Sequence, residues 1–237
     1  MKIPLDLQRL RGGIIVSCQA YPGEPFYGSD IMVRFAKAAV EGGAVGIRAN
    51  SPQDIAEIKK AVRRIPLIGL WKRDYIGSDV YITPVWSDVS TVIDAGADMV
   101  ALDATRRDRP NKERLEDIVS RVKSETQCLL MADISTVEEG LYAAQLGFDC
   151  VATTLSGYTP YSPRQSEPDY ALVEALAAQV QIPVIAEGRI LHPEQARACF
   201  ARGAYAVVVG TAITRPHVMT RKFVEHVSSP GLRESGR

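Results

Sequence analysis

The chain has 237 residues, 46% hydrophobic and 24% charged, an ordinary globular composition with ample material for a core. Lys plus Arg and Asp plus Glu are both 28, so the formal net charge is zero. That argues against a nucleic-acid partner or a membrane surface held by bulk electrostatics, and no apolar run approaches the roughly 20 residues of a membrane span.

The N-terminal stretch MKIPLDLQRLRGG carries charges where a secretory leader needs an apolar centre, and a cytoplasmic location is expected. Short apolar runs then recur along the chain: GIIVSC, AVGIRA, PLIGLW, DMVALDA, CLLMADI, DCVATTL, IPVIAEG and AYAVVVGT. They are rich in Val, Ile and Leu without polar alternation, the pattern of strands buried on both faces. Helical patterns separate them. DIAEIKKAV places Ile55, Ile58 and Val62 on one stripe. ERLEDIVSRV does so with Leu115, Ile118, Val119 and Val122, and YALVEALAAQV with Leu172, Val173, Leu176 and Val180. The joints EGGAV, DAGADMV, QLGFDCV and ARGAYAV each set a glycine after a helix and just before a strand, where a left-handed C-cap is needed.

Eight strand–helix units in this length predict an α/β fold of the closed (β/α)₈ TIM-barrel type, a single domain over residues 1–237. An open doubly wound sheet is the alternative, but the first strand runs into SCQAYPGEP with no GxGxxG turn. YITP at 81–84 reads as an extra piece after the third strand, and the tail from about residue 228 as disordered. Cys18, Cys128, Cys150 and Cys199 form no CxxC pair and read as free thiols of a reducing compartment.

Barrel chemistry sits at the C-terminal strand ends. Those ends carry Gln19, Arg48, Lys72, Asp103, Asp133, Thr153 with Thr154, Glu187, and Gly210 with Thr211. Lys72 in PLIGLWKRDY is therefore expected to project into a pocket at the barrel mouth. Gly188, Gly210 and Thr211, with Arg189 and Arg215, suit a phosphate group at the loops after strands 7 and 8. A GxxxxGK loop is absent, which argues against ATP or GTP. His192, His217 and His226 fall in predicted helices. Asp103, Asp133 and Glu187 are the one carboxylate set that could together hold a divalent ion, and no metal is expected. Tyr158 and Tyr161 of YTPYSP are candidates to cover the pocket. A strand-end lysine suits either a general base or a Schiff-base nucleophile of an aldolase. A phosphosugar-binding barrel without activity is a third reading.

VSCQAYPGEPFY, VGIRAN, GLWKRDY, VYITP, LDAT, MADIST, TTLSGYT, IAEGR and VVGTAITRP, in this order from about residue 10 to 225, closely resemble the N-acetylmannosamine-6-phosphate 2-epimerases. The resemblance implies a (β/α)₈ barrel that interconverts N-acetylmannosamine 6-phosphate and N-acetylglucosamine 6-phosphate in amino-sugar or sialic-acid catabolism. It implies Lys72 and Glu187 as the acid/base pair. Gln19, Arg48 and Asp133 would be substrate contacts, with Arg189 and Arg215 on the phosphate. No cofactor is implied; the partner is a phosphorylated amino sugar, and a homo-oligomer is allowed. In a ring of eight, strands 3 and 7 face each other, which suits proton transfer on two faces of one carbon. The apolar strand end and neighbouring Arg48 are expected to make Lys72 a base. Tyr21, Phe26 and Trp71 depart from the family pattern and are expected to affect local packing alone.

Overall fold

A strand apolar on both sides has to be covered on both sides, and closing a sheet into a ring with helices outside does this without leaving an edge. A computed structural model describes residues 4–228 and has that form: eight parallel strands close in the order β1 to β8. The strands are β1 Ile14–Cys18, β2 Gly46–Asn50, β3 Leu67–Leu70, β4 Met99–Asp103, β5 Leu129–Asp133, β6 Cys150–Ala152, β7 Val184–Glu187 and β8 Ala206–Val209. The helices are α1 Leu5–Arg9, α2 Ser29–Glu41, α3 Pro52–Ala61, α4 Trp86–Asp94, α5 Leu115–Glu125, α6 Val137–Leu146, α7 Tyr170–Gln179, α8 Pro193–Ala201, α9 Thr211–Thr214 and α10 Pro216–Ser228. The tail expected to be disordered lies, beyond Ser228, outside the described residues.

The apolar stripes read from the sequence are the buried faces of α3, α5 and α7. Gly43, Gly96, Gly147 and Gly203 all have φ near +90° at the helix–strand joints, a conformation that a side chain disfavours. α1, which the repeat pattern did not reveal, closes the barrel floor by inserting Leu7 and Leu10 beside Ile15, Ile68 and Val208.

Two layers of core result. One lies between the strands and the helices and includes Val16, Ile47, Leu67, Val100, Leu130 and Val207. The other fills the barrel with Ile15, Ile68, Leu70, Met99, Ala101, Met131, Cys150, Ala152, Ile185 and Val208. Successive strand residues therefore alternate between the layers. The inward set, continued by two residues toward the C-terminal rim, becomes Ser17 and Gln19, Lys72, Asp103, Asp133, Thr154, Glu187 and Gly210. Arg48 occupies an inward position one level deeper, between the outward Ile47 and Ala49.

The YITP segment forms part of this rim. Lys72 bridges Ile82 in antiparallel fashion, Thr83 N donates to Trp71 O at 2.8 Å, and Arg73 N donates to Tyr81 O at 2.9 Å. Ile82 O also accepts from Asp103 N at 3.0 Å. The segment is thus wedged between the upper ends of β3 and β4, which pair with each other only at Ile68–Met99 and Gly69–Val100. The strand that carries Lys72 is held on one side by β2 and on the other by this wedge.

Candidate active site

The rim residues surround a cavity of about 440 Å³, a size suited to a small ligand. Its walls include Ser17, Gln19, Tyr21, Arg48, Lys72, Tyr81, Thr154, Glu187, Gly188, Arg189, Gly210, Thr211 and Arg215. All but one of the expected site residues are therefore in a single cavity wall. Asp133 lies directly behind it, fully buried against Arg48.

The floor is an ionic cluster. Arg48, 1% exposed, donates through Nη2 to Asp133 Oδ2 at 2.5 Å and through Nη1 to Asp133 Oδ1 at 3.1 Å. Its Nη1 also lies 3.3 Å from Glu187 Oε2. Two carboxylates around one fixed guanidinium satisfy a cation that would otherwise be too costly to bury. Thr154 Oγ1 sits 2.7 Å from Asp133 Oδ1 and 2.9 Å from Glu187 Oε2. A hydroxyl has one hydrogen. Thr154 is the donor toward both carboxylates, so its one hydrogen is shared between them. Burial pushes the Glu187 carboxyl above its ordinary range. The Asp133 charge adds to the rise, while Arg48, Thr154 and Lys72 oppose it.

Lys72 enters from the opposite wall, four strands from Glu187 in the ring. Its backbone N donates to Asn50 Oδ1 at 2.8 Å, and its Nζ donates to Tyr21 Oη at 2.8 Å. Two expectations are corrected here. Arg48 faces Asp133 and Glu187 rather than Lys72, because its inward position lies a level below the rim. Tyr21 does more than local packing, since it touches the lysine directly. Trp71 and Phe26 do act in packing: the Trp71 ring lies under the Arg73 guanidinium at 4.6 Å, and Phe26 meets Phe35 edge-on at 5.5 Å.

The rim after β7 and β8 is built from tight backbone. Gly188 and Arg189 have φ of 112° and 59°, and Gly210 begins the single turn α9. Arg189 lines the cavity but is occupied: its guanidinium donates to Glu167 O at 2.7 Å and to Ser156 O at 2.6 Å, fastening the loop after β6. Arg215 is paired with Glu24 of the loop after β1. Of the YTPYSP tyrosines, Tyr158 lines the cavity, whereas Tyr161 Oη donates to Glu139 Oε1 at 2.6 Å and holds the loop down.

Asp103 does not join the carboxylate pair. It is fully buried and held by Arg107 at 2.6 Å and by Thr105. Among the described residues, no group of three or more His, Cys, Asp or Glu could hold a metal ion. Four buried side-chain polar atoms lack a hydrogen-bond partner among the described residues, and three belong to cavity walls: Gln19 Oε1, Arg48 Nε and Arg215 Nε. Such atoms are rare in folded proteins and fit a polar ligand. Sequence reasoning did not single out Ser17, Glu24 or Tyr81. Ser17 lies on the inward side of β1 two residues before Gln19, so strand alternation could have found it. Glu24 and Tyr81 lie in loops, where no periodicity applies.

The family described as "Putative N-acetylmannosamine-6-phosphate epimerase" matches residues 32–229. A relative from Caldanaerobacter subterraneus subsp. tengcongensis, described as a putative N-acetylmannosamine-6-phosphate 2-epimerase, is 54% identical over 222 residues, 93% of each chain. One of the same description from Clostridioides difficile is 49% identical over 93% of this chain and 98% of its own. The solved structure of the N-acetylmannosamine-6-phosphate 2-epimerase from Clostridium perfringens superposes with a TM-score of 0.90 at 49% identity, covering 93% of this chain and 95% of that one. A thiamine phosphate pyrophosphorylase from Pyrococcus furiosus, TM-score 0.58 at 19% identity, shares the fold alone.

Proposed function

Because the chain belongs to the N-acetylmannosamine-6-phosphate epimerase family, we propose that it interconverts N-acetylmannosamine 6-phosphate and N-acetylglucosamine 6-phosphate in amino-sugar catabolism. The observation that carries the mechanism is the placement of Lys72 and Glu187 on facing walls of one cavity, with burial raising the Glu187 carboxyl above its ordinary range. In the open-chain sugar the C2 hydrogen is acidified by the C1 aldehyde. One group removes it as a proton, and the C–H electrons move to the carbonyl oxygen as an enolate. The other group returns a proton to the opposite face of the planar carbon. Groups on facing walls suit inversion, as groups on one wall would not.

The enolate is placed near Arg48, whose unpartnered Nε–H can donate to it, while Gln19 Oε1, an acceptor, suits a sugar hydroxyl. Asp133 fixes Arg48 rather than meeting the sugar directly. The phosphate is placed at the other end, against Gly188, Gly210, Thr211 and Arg215, with Arg189 holding the loop that closes that side. Phosphate has to share or displace Glu24 on Arg215. The reading uses no metal or cofactor.

Among the described residues no helix is long and apolar enough to cross a membrane, and a cytoplasmic enzyme without a nucleic-acid partner fits the balanced charge. Self-association fits α10, none of whose residues is buried and which exposes Phe223, Val224 and Val227, an apolar face that a second copy would cover. A monomeric mass by light scattering at micromolar concentration would remove that element.

The test is proton NMR of N-acetylmannosamine 6-phosphate incubated with the protein. Appearance of the gluco epimer is expected, with kcat/KM far above that for the unphosphorylated sugar because remote binding energy positions C2. Arg215→Ala should lose most of that preference. Equal kcat/KM for the two sugars would refute the phosphate assignment, and no epimer from either would refute the activity.

A further inference from the structure

The backbone at Lys72 is fixed by Asn50 and by the bridge to Ile82, but a lysine side chain keeps four rotatable bonds beyond it. Among the described residues, Nζ makes one hydrogen bond, to Tyr21 Oη at 2.8 Å, and it stands 5.0 Å from the centre of the Tyr21 ring. Tyr21 is itself held. Its backbone N donates to Glu24 Oε2 at 3.1 Å, and Glu24 N donates back to Tyr21 O at 3.0 Å, closing a turn. Glu24 pairs in turn with Arg215, whose guanidinium carbon lies 5.5 Å from the Tyr21 ring. The turn is therefore braced from β8's end of the rim and carries a hydroxyl to the lysine at β3's end. A tyrosine serving only as filler would bury its ring, whereas Tyr21 is 41% exposed and faces the cavity.

We propose that Tyr21 is a positioning residue for the epimerisation: its hydroxyl, braced by the Tyr21–Glu24 turn, fixes Lys72 Nζ at the wall facing Glu187. This rests on the function proposed above. Proton transfer at carbon is sensitive to placement, and a displacement of about 1 Å costs on the order of a hundredfold in rate. Removing the hydroxyl alone keeps the ring beside Arg215 and the Tyr21–Glu24 turn, so the phosphate end is left in place. Loss of the hydroxyl therefore acts on kcat and leaves KM nearly unchanged.

The experiment compares wild type with Tyr21→Phe, which keeps the ring and removes the hydroxyl, and with Tyr21→Leu. Steady-state kinetics with N-acetylmannosamine 6-phosphate are measured beside thermal unfolding. In parallel, acetylation of Lys72 by a succinimidyl acetate is followed by peptide mass spectrometry, with the remote Lys37 as internal reference. The expected result for Tyr21→Phe is a kcat lower by about ten- to a hundredfold, a KM within about threefold, an unchanged Tm, and several-fold faster acetylation of Lys72. A kcat within about twofold of wild type would overturn the proposal. So would a loss carried by KM or by Tm with Lys72 acetylation unchanged, since that describes a structural role. Inactivity of the wild type would refute the proposed function, while the acetylation rates still report whether Tyr21 holds Lys72.

Discussion

Glu187 shows how a single residue's surroundings select its chemistry. Burial pushes its carboxyl upward, and the nearby Asp133 charge adds to this against the opposing pull of Arg48 and Thr154. The consequence for stability has a definite sign. In the unfolded chain the carboxyl ionises near ~4.3, and in the folded protein it ionises at higher pH. Below the unfolded value both states hold the proton and burial of charge costs nothing. Above the folded value both are ionised, and only the folded state bears the cost. Glu187→Gln, which cannot ionise, should thus gain in Tm relative to wild type as pH rises from about 4 toward 8. Paired melts across that range check it, and a difference that is flat or shrinks with rising pH would contradict it. The same burial acts on the four cysteines, but there it makes them inert. All are free, and burial pushes the Cys18 thiol up to about 12, so these side chains are packing material rather than nucleophiles.

At the scale of elements, the strand that delivers Lys72 depends on a close approach. A Cβ on Gly69 would lie 2.7 Å from Ala97 Cβ, 2.8 Å from Val92 Cγ1 and 2.9 Å from Ile55 Cδ1. Glycine there lets β3 seat against α3 and α4 at once. Gly69→Val should destabilise the fold by at least about 1–3 kcal/mol, the usual cost of overpacking a core, read as a lower urea midpoint at unchanged m-value. An unchanged midpoint would mean that the helices yield freely. Strand alternation also explains what the sequence made legible. Once the apolar runs are strands, every second residue faces inward, and the rim positions Gln19, Lys72, Asp133, Glu187 and Gly210 follow. Arg48 was legible as a polar residue in an apolar run, but its depth was not: the ionic floor depends on how β2, β5 and β7 are staggered. Tyr21, Glu24 and the contacts of Arg189 lay beyond sequence reasoning because loop conformation has no period to read. α1 was missed for a related reason, since five residues give too few turns for a stripe.

For the whole molecule, closure of the ring is what turns eight separate strand ends into one site. Lys72 and Glu187 are 115 residues apart in the chain and meet only because β3 and β7 stand across from each other. The apolar packing inside the barrel, from α1 at the floor to Ile82 under the rim, supports the buried Arg48–Asp133–Glu187 cluster from below. Lys72 and Glu187 are proposed to exchange the C2 proton of a phosphorylated amino sugar from its two faces. The most direct test is turnover of N-acetylmannosamine 6-phosphate in D₂O, followed by proton NMR of the epimer, for wild type, Lys72→Ala and Glu187→Ala. Positioned acid–base groups contribute about 10²–10⁴-fold each. Wild type should therefore place deuterium at C2 of the product, and neither variant should form measurable epimer. Product that fully retains its C2 hydrogen, or near-normal turnover by Glu187→Ala, would contradict that exchange.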